Sequence, residues 1–247
     1  MLKPVFCSFP AAPLTTDCFN DITDYNFSES FVRQVIKEGQ PYTDMNFLPT
    51  RKSLLCPENK NNGISEEQAE LYLTLKWWRA SEMREFPILW SLNIKPENIK
   101  QGSIGNCYFI TAISSLASLP NILEDVFITK ETNEAGIYAM RFFLNGLPRI
   151  VVVDDYLPVR ADGSQAFAKS TYSDEFWISL LEKAWAKLHG SYCMIDNGRI
   201  DLVFSALTNR PTYLFTHKTK DFSPELLWQK LKTASRMRML MASYTPV

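Results

Sequence analysis

The sequence predicts an α+β protein. Three observations carry that assignment: a helix with its own start signal at Ser65, two β-rich runs flanking Asn145-Gly146, and a long one-faced helix ending at Gly190. Helices before and after a β-hairpin, rather than strands alternating with helices, define the class.

In chain order, residues 1–63 are the least regular stretch. Pro4, Pro10, Pro13, Pro41 and Pro49 interrupt it, and the polar run 57–63 closes on Asn-Asn-Gly. Only Glu29–Lys37 has helical spacing there, with Phe31, Val32, Val35 and Ile36 on one side. The expectation is an extended N-terminal arm over 1–64 with one short helix.

Ser65-Glu-Glu-Gln68 has the spacing of a capping box and predicts a helix to about Trp78, ahead of Pro87. A second helix is expected from the Asn106-Cys107 step through Ile110, Ile113 and Leu116 to about Ser118, stopping before Pro120. Residues 137–144 and 149–154 read as a hairpin across Asn145-Gly146, with Leu147-Pro148 lengthening the loop beyond two residues.

Glu175–His189 is the clearest helix. Phe176, Trp177, Leu180, Leu181, Ala184, Trp185 and Leu188 make one apolar stripe, Ser173 or Asp174 can cap its start, and Gly190 follows its end. A last helix is expected from Ser223-Pro224 to about Leu231, and Met239–Tyr244 reads as a strand.

Composition narrows the class. Lys plus Arg (26) nearly balance Asp plus Glu (27), so no field of one sign attracts nucleic acid or an anionic membrane. No apolar run approaches a membrane span, and the first residues lack the apolar core of a signal peptide. Five cysteines, at 7, 18, 56, 107 and 193, are odd in number and without CxxC spacing, which points to reduced thiols in the cytoplasm.

One of those cysteines sits in a segment with chemical meaning. In Gln101-Gly-Ser-Ile-Gly-Asn-Cys-Tyr-Phe109, Cys107 falls at a helix start, where free N–H groups and the helix dipole favour a thiolate. Gly105 removes a side chain in front of it, so a substrate backbone could approach. Gln101 can donate its side-chain amide to an oxyanion, with the Cys107 N–H as second donor. A cysteine at a helix start is also a common small buried residue. Asp154 and Asp155 are adjacent carboxylates at a strand end that point to opposite faces, which argues against shared acid–base work.

The segment 101–116 resembles the active-site block of the calpain family, usually QGxLGDCWFLAAIASL. The resemblance extends to Trp78-Arg-Ala-Ser-Glu-Met83, Ile94–Lys100, Val151-Val-Val-Asp-Asp-Tyr-Leu-Pro158 and Glu175–Lys187, covering about residues 70–245. Asn106 stands where the family usually has Asp, and Tyr108 where it usually has Trp. The resemblance implies a papain-like cysteine protease fold. Residues 65–210 would be the helical, nucleophile-bearing lobe with its β-hairpin, and 211–247 the beginning of a truncated second lobe. It implies a calcium-dependent endopeptidase acting on protein substrates, with Cys107 as nucleophile and Gln101 in the oxyanion hole. For calcium it points to Glu175 and to Asn98, an uncharged oxygen where the family has Asp. Glu175 also reads as simple charge compensation at a helix N-terminus.

A thiol protease needs a histidine as base, placed in papain-like chains roughly 130–150 residues after the cysteine. The two histidines here, His189 and His217, fall earlier and match no such motif. The expectation is a chain inactive alone, its second lobe supplied by another segment or a partner chain. The alternative is a non-catalytic calpain-like binding or regulatory module.

Overall fold

In the computed structural model, which describes residues 25–55, 65–91, 94–217 and 222–243, the capping box forms as its spacing predicts. The Ser65 hydroxyl accepts from the Gln68 N–H, and the Gln68 amide oxygen accepts from the Ser65 N–H at 2.9 Å. Cys7, Cys18, Cys56, the run 57–63 and Tyr244 lie outside the described residues.

The elements in chain order are α1 (Tyr25–Glu38), α2 (Arg51–Leu54), α3 (Glu66–Thr74), β1 (Lys76–Arg79), α4 (Ala80–Met83), β2 (Ile99–Lys100), α5 (Cys107–Ala117) and α6 (Pro120–Val126). Then follow β3 (Ile137–Leu144), β4 (Leu147–Asp154), β5 (Tyr156–Val159), β6 (Lys169–Ser170), α7 (Trp177–His189), α8 (Ile200–Thr208) and α9 (Pro224–Arg236). Among the described residues the strands pair two by two and antiparallel: β1 with β5, β2 with β6 and β3 with β4. The mixed helix and strand content agrees with the predicted class.

Several boundaries differ from expectation, each for a physical reason. The helix opened at Ser65 ends at Thr74, and Trp77-Trp78 belong to β1 because they pair with Pro158 and Leu157, a contact no local window contains. The hairpin loop is two residues, since Leu144 pairs with Leu147. Asn145 (φ 52°) and Gly146 (φ 79°) supply the left-handed backbone of the tight turn, and Pro148 is accommodated within β4. Pro120 does not simply end a helix but opens α6 from its first position. The predicted 175–189 helix begins at Trp177, with neither Ser173 nor Asp174 capping it, and stops at Gly190 in the left-handed region (φ 98°). Residues 239–243 form no strand, and α9 runs five residues past Leu231 to Arg236.

Nearly all of α7 is buried, and it packs against β3, β4, β5 and β6. Phe109, Ile113 and Leu116 of α5 join the same apolar core, while Val32 of α1 packs with Ile137, Ala139 and Ile150. The adjacent carboxylates at the end of β4 separate as expected: Asp154 pairs with Lys183, and Asp155 with Arg79. Cys193 is buried and disulfide-bonded, which corrects the expectation of five reduced thiols. An odd count leaves one thiol over without forbidding a pair. Among the described residues the free thiol is Cys107.

Candidate active site

Cys107 is the first residue of α5 and is exposed to solvent. The turn is set by its neighbour: the Asn106 carbonyl accepts from the N–H groups of Phe109 (2.9 Å) and Ile110 (3.1 Å). The apolar residues Phe109, Ala112, Ile113 and Leu116 bury the opposite face of α5, so Cys107 is left at the rim of the core.

The loop in front of the helix is clamped on two sides. Gly102 lies so close to Phe167 that a Cβ there would sit 2.2 Å from the Phe167 Cα. The Gly105 N–H donates to Asp196 Oδ1 at 2.6 Å, and its carbonyl accepts from the Asn197 N–H at 3.2 Å. A Cβ on Gly105 would come 3.0 Å from Asp196 Oδ1. The glycine therefore makes room first for a carboxylate of the protein itself. Asp196 was not singled out from the sequence; the only local signal is Asp-Asn-Gly, a turn in which Asn197 takes φ 81°.

Asn106 is fully buried and sends its side chain inward: Nδ2 donates to Glu182 Oε1 at 2.7 Å. Glu182 Oε2 accepts from the Ala168 N–H at 2.9 Å. Burial pushes the Glu182 carboxyl up to about 7, opposed by the Asn106 and Ala168 hydrogen bonds. Between the ordinary value of 4.5 and about 7, the folded chain keeps a proton that the unfolded chain has released. Stability is therefore expected to fall as pH rises through that window, by something on the order of 1–3 kcal/mol. Thermal unfolding midpoints near pH 5 and 8 check this. The fall should shrink in Glu182→Gln; an equal fall in both proteins would exclude Glu182 as its source.

Tyr108, where the family pattern has Trp, places a hydroxyl in the core. Trp185 Nε1–H donates to it at 3.1 Å, and it donates to the Ile195 carbonyl at 3.2 Å. Burial is the main cause that raises its phenol well above the ordinary range. Tyr108→Phe leaves the indole N–H and the Ile195 carbonyl without this partner. It should cost about 1–3 kcal/mol, read as a lower urea midpoint at unchanged slope.

Gln101 sits on the same loop, but its Nε2 donates to the Ile104 carbonyl at 2.6 Å. That bond uses one of the two amide hydrogens and fixes the side chain within the loop. Neither histidine forms a hydrogen bond with Cys107 among the described residues. His189 is buried at the end of α7, with Nδ1 2.8 Å from the Trp185 carbonyl oxygen, and burial lowers its pKa. His217 packs its ring against Phe222, with centroids 4.4 Å apart.

The residues named for calcium both bond the chain at the end of β6: Glu175 through Ser170 and Asn98 through Thr171. Glu175 is buried two residues before α7, not on the helix; Oε1 accepts from the Ser91 N–H at 2.6 Å and Oε2 from the Ser170 hydroxyl. Asn98 Oδ1 accepts from the Thr171 hydroxyl at 3.2 Å. These oxygens already serve protein donors, and among the described residues no group of three or more His, Cys, Asp or Glu gathers to hold a metal.

A family model described as calpain family cysteine protease matches residues 42–247. A calpain-type cysteine protease of Oryza sativa subsp. japonica is 36% identical over 189 residues, covering 73% of this chain and 8% of the relative. Calpain-5 of Caenorhabditis elegans is 36% identical over 172 residues (67% of this chain, 25% of the relative). Calpain-14 of Homo sapiens is 32% identical over 175 residues (70% and 24%). The chain thus spans a quarter or less of the length of these relatives.

Proposed function

Since the chain belongs to the calpain family of cysteine proteases, we propose that it supplies the nucleophile half of an endopeptidase site, with Cys107 as the attacking thiol. The observation that supports this reading is an exposed cysteine on the first turn of an 11-residue helix, its loop held by Asp196 and Glu182. In the proposed chemistry the Cys107 sulfur attacks a peptide carbonyl carbon and the carbonyl oxygen takes the negative charge. The Cys107 N–H and the second amide hydrogen of Gln101 donate to that oxygen. The oxyanion then collapses with breakage of the C–N bond and departure of the amine, and water cleaves the C–S bond of the resulting thioester to release the carboxylic acid and restore the thiol.

The histidine that takes the thiol proton, and later protonates the leaving amine, is not among the groups bonded to Cys107. It is proposed to come from a second lobe, on further sequence or on a partner chain. Substrates are proposed to be proteins bound in extended form between the two lobes. Among the described residues no helix is long and apolar enough to cross a membrane. Calcium enters only as a rearrangement, in which Ser91, Ser170 and Thr171 would give up their acceptors on Glu175 and Asn98. A calcium-induced rise in thermal midpoint that Glu175→Gln removes supports that step; no rise at millimolar calcium removes it from the reading.

Iodoacetamide labelling tests the nucleophile. Cys107 is expected to label selectively over the chain's other cysteines below neutral pH, and Cys107→Ala to abolish that labelling. Cys107 labelling no faster than a cysteine of the unfolded chain would instead favour a binding module. With an unfolded protein substrate the 247-residue chain alone should show no cleavage; cleavage abolished by Cys107→Ala would mean that the base lies within it.

A further inference from the structure

We propose that Glu182 is a positioning residue for Cys107: by holding the Asn106 side chain, it keeps the first turn of α5 uncapped and open to the charge that develops at the nucleophile. This rests on the reading of Cys107 as nucleophile.

Asparagine is among the residues that most favour a helix N-cap, where its side-chain oxygen accepts from an N–H of the first turn. Asn106 occupies that position and makes no such bond. Its Nδ2 is drawn to Glu182, and its buried Oδ1 has no hydrogen-bond partner among the described residues. The Cys107 and Tyr108 N–H groups meet no acceptor among the described residues. The orphaned oxygen and the open turn are two sides of one arrangement: an Asn106 side chain released from Glu182 and swung toward the helix can offer its oxygen to the Tyr108 N–H, as an N-cap does, and close the turn beside Cys107. An Asp at this position could not donate to Glu182, so the amide makes the tether possible. Glu182 is itself fixed from the other side by the Ala168 N–H.

The groups that interact electrostatically with Glu182 are the phenols of Tyr72 on α3, Tyr108 on α5, and Tyr192; Asp196 acts on the first two of these. Lys183, its chain neighbour, turns its ammonium to Asp154 instead. With no cation paired to it among the described residues, Glu182 changes protonation near neutrality. Ionised, it accepts from Asn106 Nδ2. Protonated, it can donate, and the amide is free to turn its oxygen outward or toward the carboxyl.

The test is the rate of Cys107 alkylation by iodoacetamide in the full chain, followed by peptide mass spectrometry from about pH 5 to 9. The unaltered protein should show an inflection near neutrality in addition to the ionisation of the thiol. Glu182→Gln should remove it and slow labelling near pH 8 about fivefold, the equivalent of an occupied N-cap. Asn106→Ala should remove the same inflection and be insensitive to added Glu182→Gln, because no side chain remains to close the turn. An inflection that survives Asn106→Ala overturns the proposal, as does equal slowing by Glu182→Gln with and without Asn106. The Asn106→Ala arm decides alone if Glu182→Gln fails to fold. Cys107 labelling no faster than an unfolded-chain cysteine in every variant would instead bring down the nucleophile reading, and this one with it.

Discussion

Lys183→Met is expected to lower the free energy of unfolding by about 3–5 kcal/mol, because it removes one partner of a buried ion pair and leaves the other charged. The Lys183 ammonium is completely buried on α7. It donates to an Asp154 carboxylate oxygen, the Asp154 carbonyl (3.1 Å) and the Tyr156 carbonyl (2.7 Å). Burial pushes that ammonium below its ordinary range, and Asp154 opposes the shift most. Asp154 also accepts from the Asp44 N–H at 2.7 Å, and Asp44 pairs with Lys187 at 2.8 Å, so the pair ties the segment before α2 to β4 and α7. The double change Lys183→Met with Asp154→Leu should recover part of the loss, since no charge is then stranded. Urea unfolding at constant slope measures both. A single-variant loss below about 1 kcal/mol would mean that water reaches the site and the pair is not dry.

Gly102→Ala is expected to damage the candidate site directly. The new Cβ would stand 2.2 Å from the Phe167 Cα and 2.5 Å from its carbonyl oxygen, which are backbone atoms that no rotamer change can move. The loop carrying Gln101 must shift away from 166–168, breaking the Ser103 N–H to Ala166 carbonyl bond of 3.0 Å. Overpacking of this kind costs about 1–3 kcal/mol or more. Because the same loop leads to Cys107, labelling at that residue should slow along with the loss of stability. A variant as stable and as reactive as the original would show that 102 and 167 do not touch as described.

What could be read from the sequence was what local chemistry decides. Ser65 with Gln68, Asn145-Gly146, Gly190, and a cysteine at the start of a helix each carry their signal within a few residues. Residues 76–79 did not, because Trp77 and Trp78 suit a helix or a strand, and the choice is made by Tyr156–Val159 some eighty positions on. Met239–Met241 has strand composition, but among the described residues no strand lies beside it. Asp196 and Glu182 were illegible for the same reason. A charged residue on a long helix reads as solvated face, and only the packing of α7 against four strands buries it next to the Cys107 loop. Gln101 was legible by type, but its bond to Ile104 belongs to the loop's geometry.

Consecutive residues of α7 look in different directions, about 100° apart around the helix axis. Glu182 holds the nucleophile loop, and Lys183 holds the ion network that joins β4 to the segment around Asp44. The two regions therefore share one cooperative unit. The Phe109 and Ile110 amides, which donate to the Asn106 carbonyl, should exchange with deuterated solvent only when α7 itself opens, at the rate of global unfolding rather than of loop fluctuation, while the unbonded Cys107 and Tyr108 amides exchange fast.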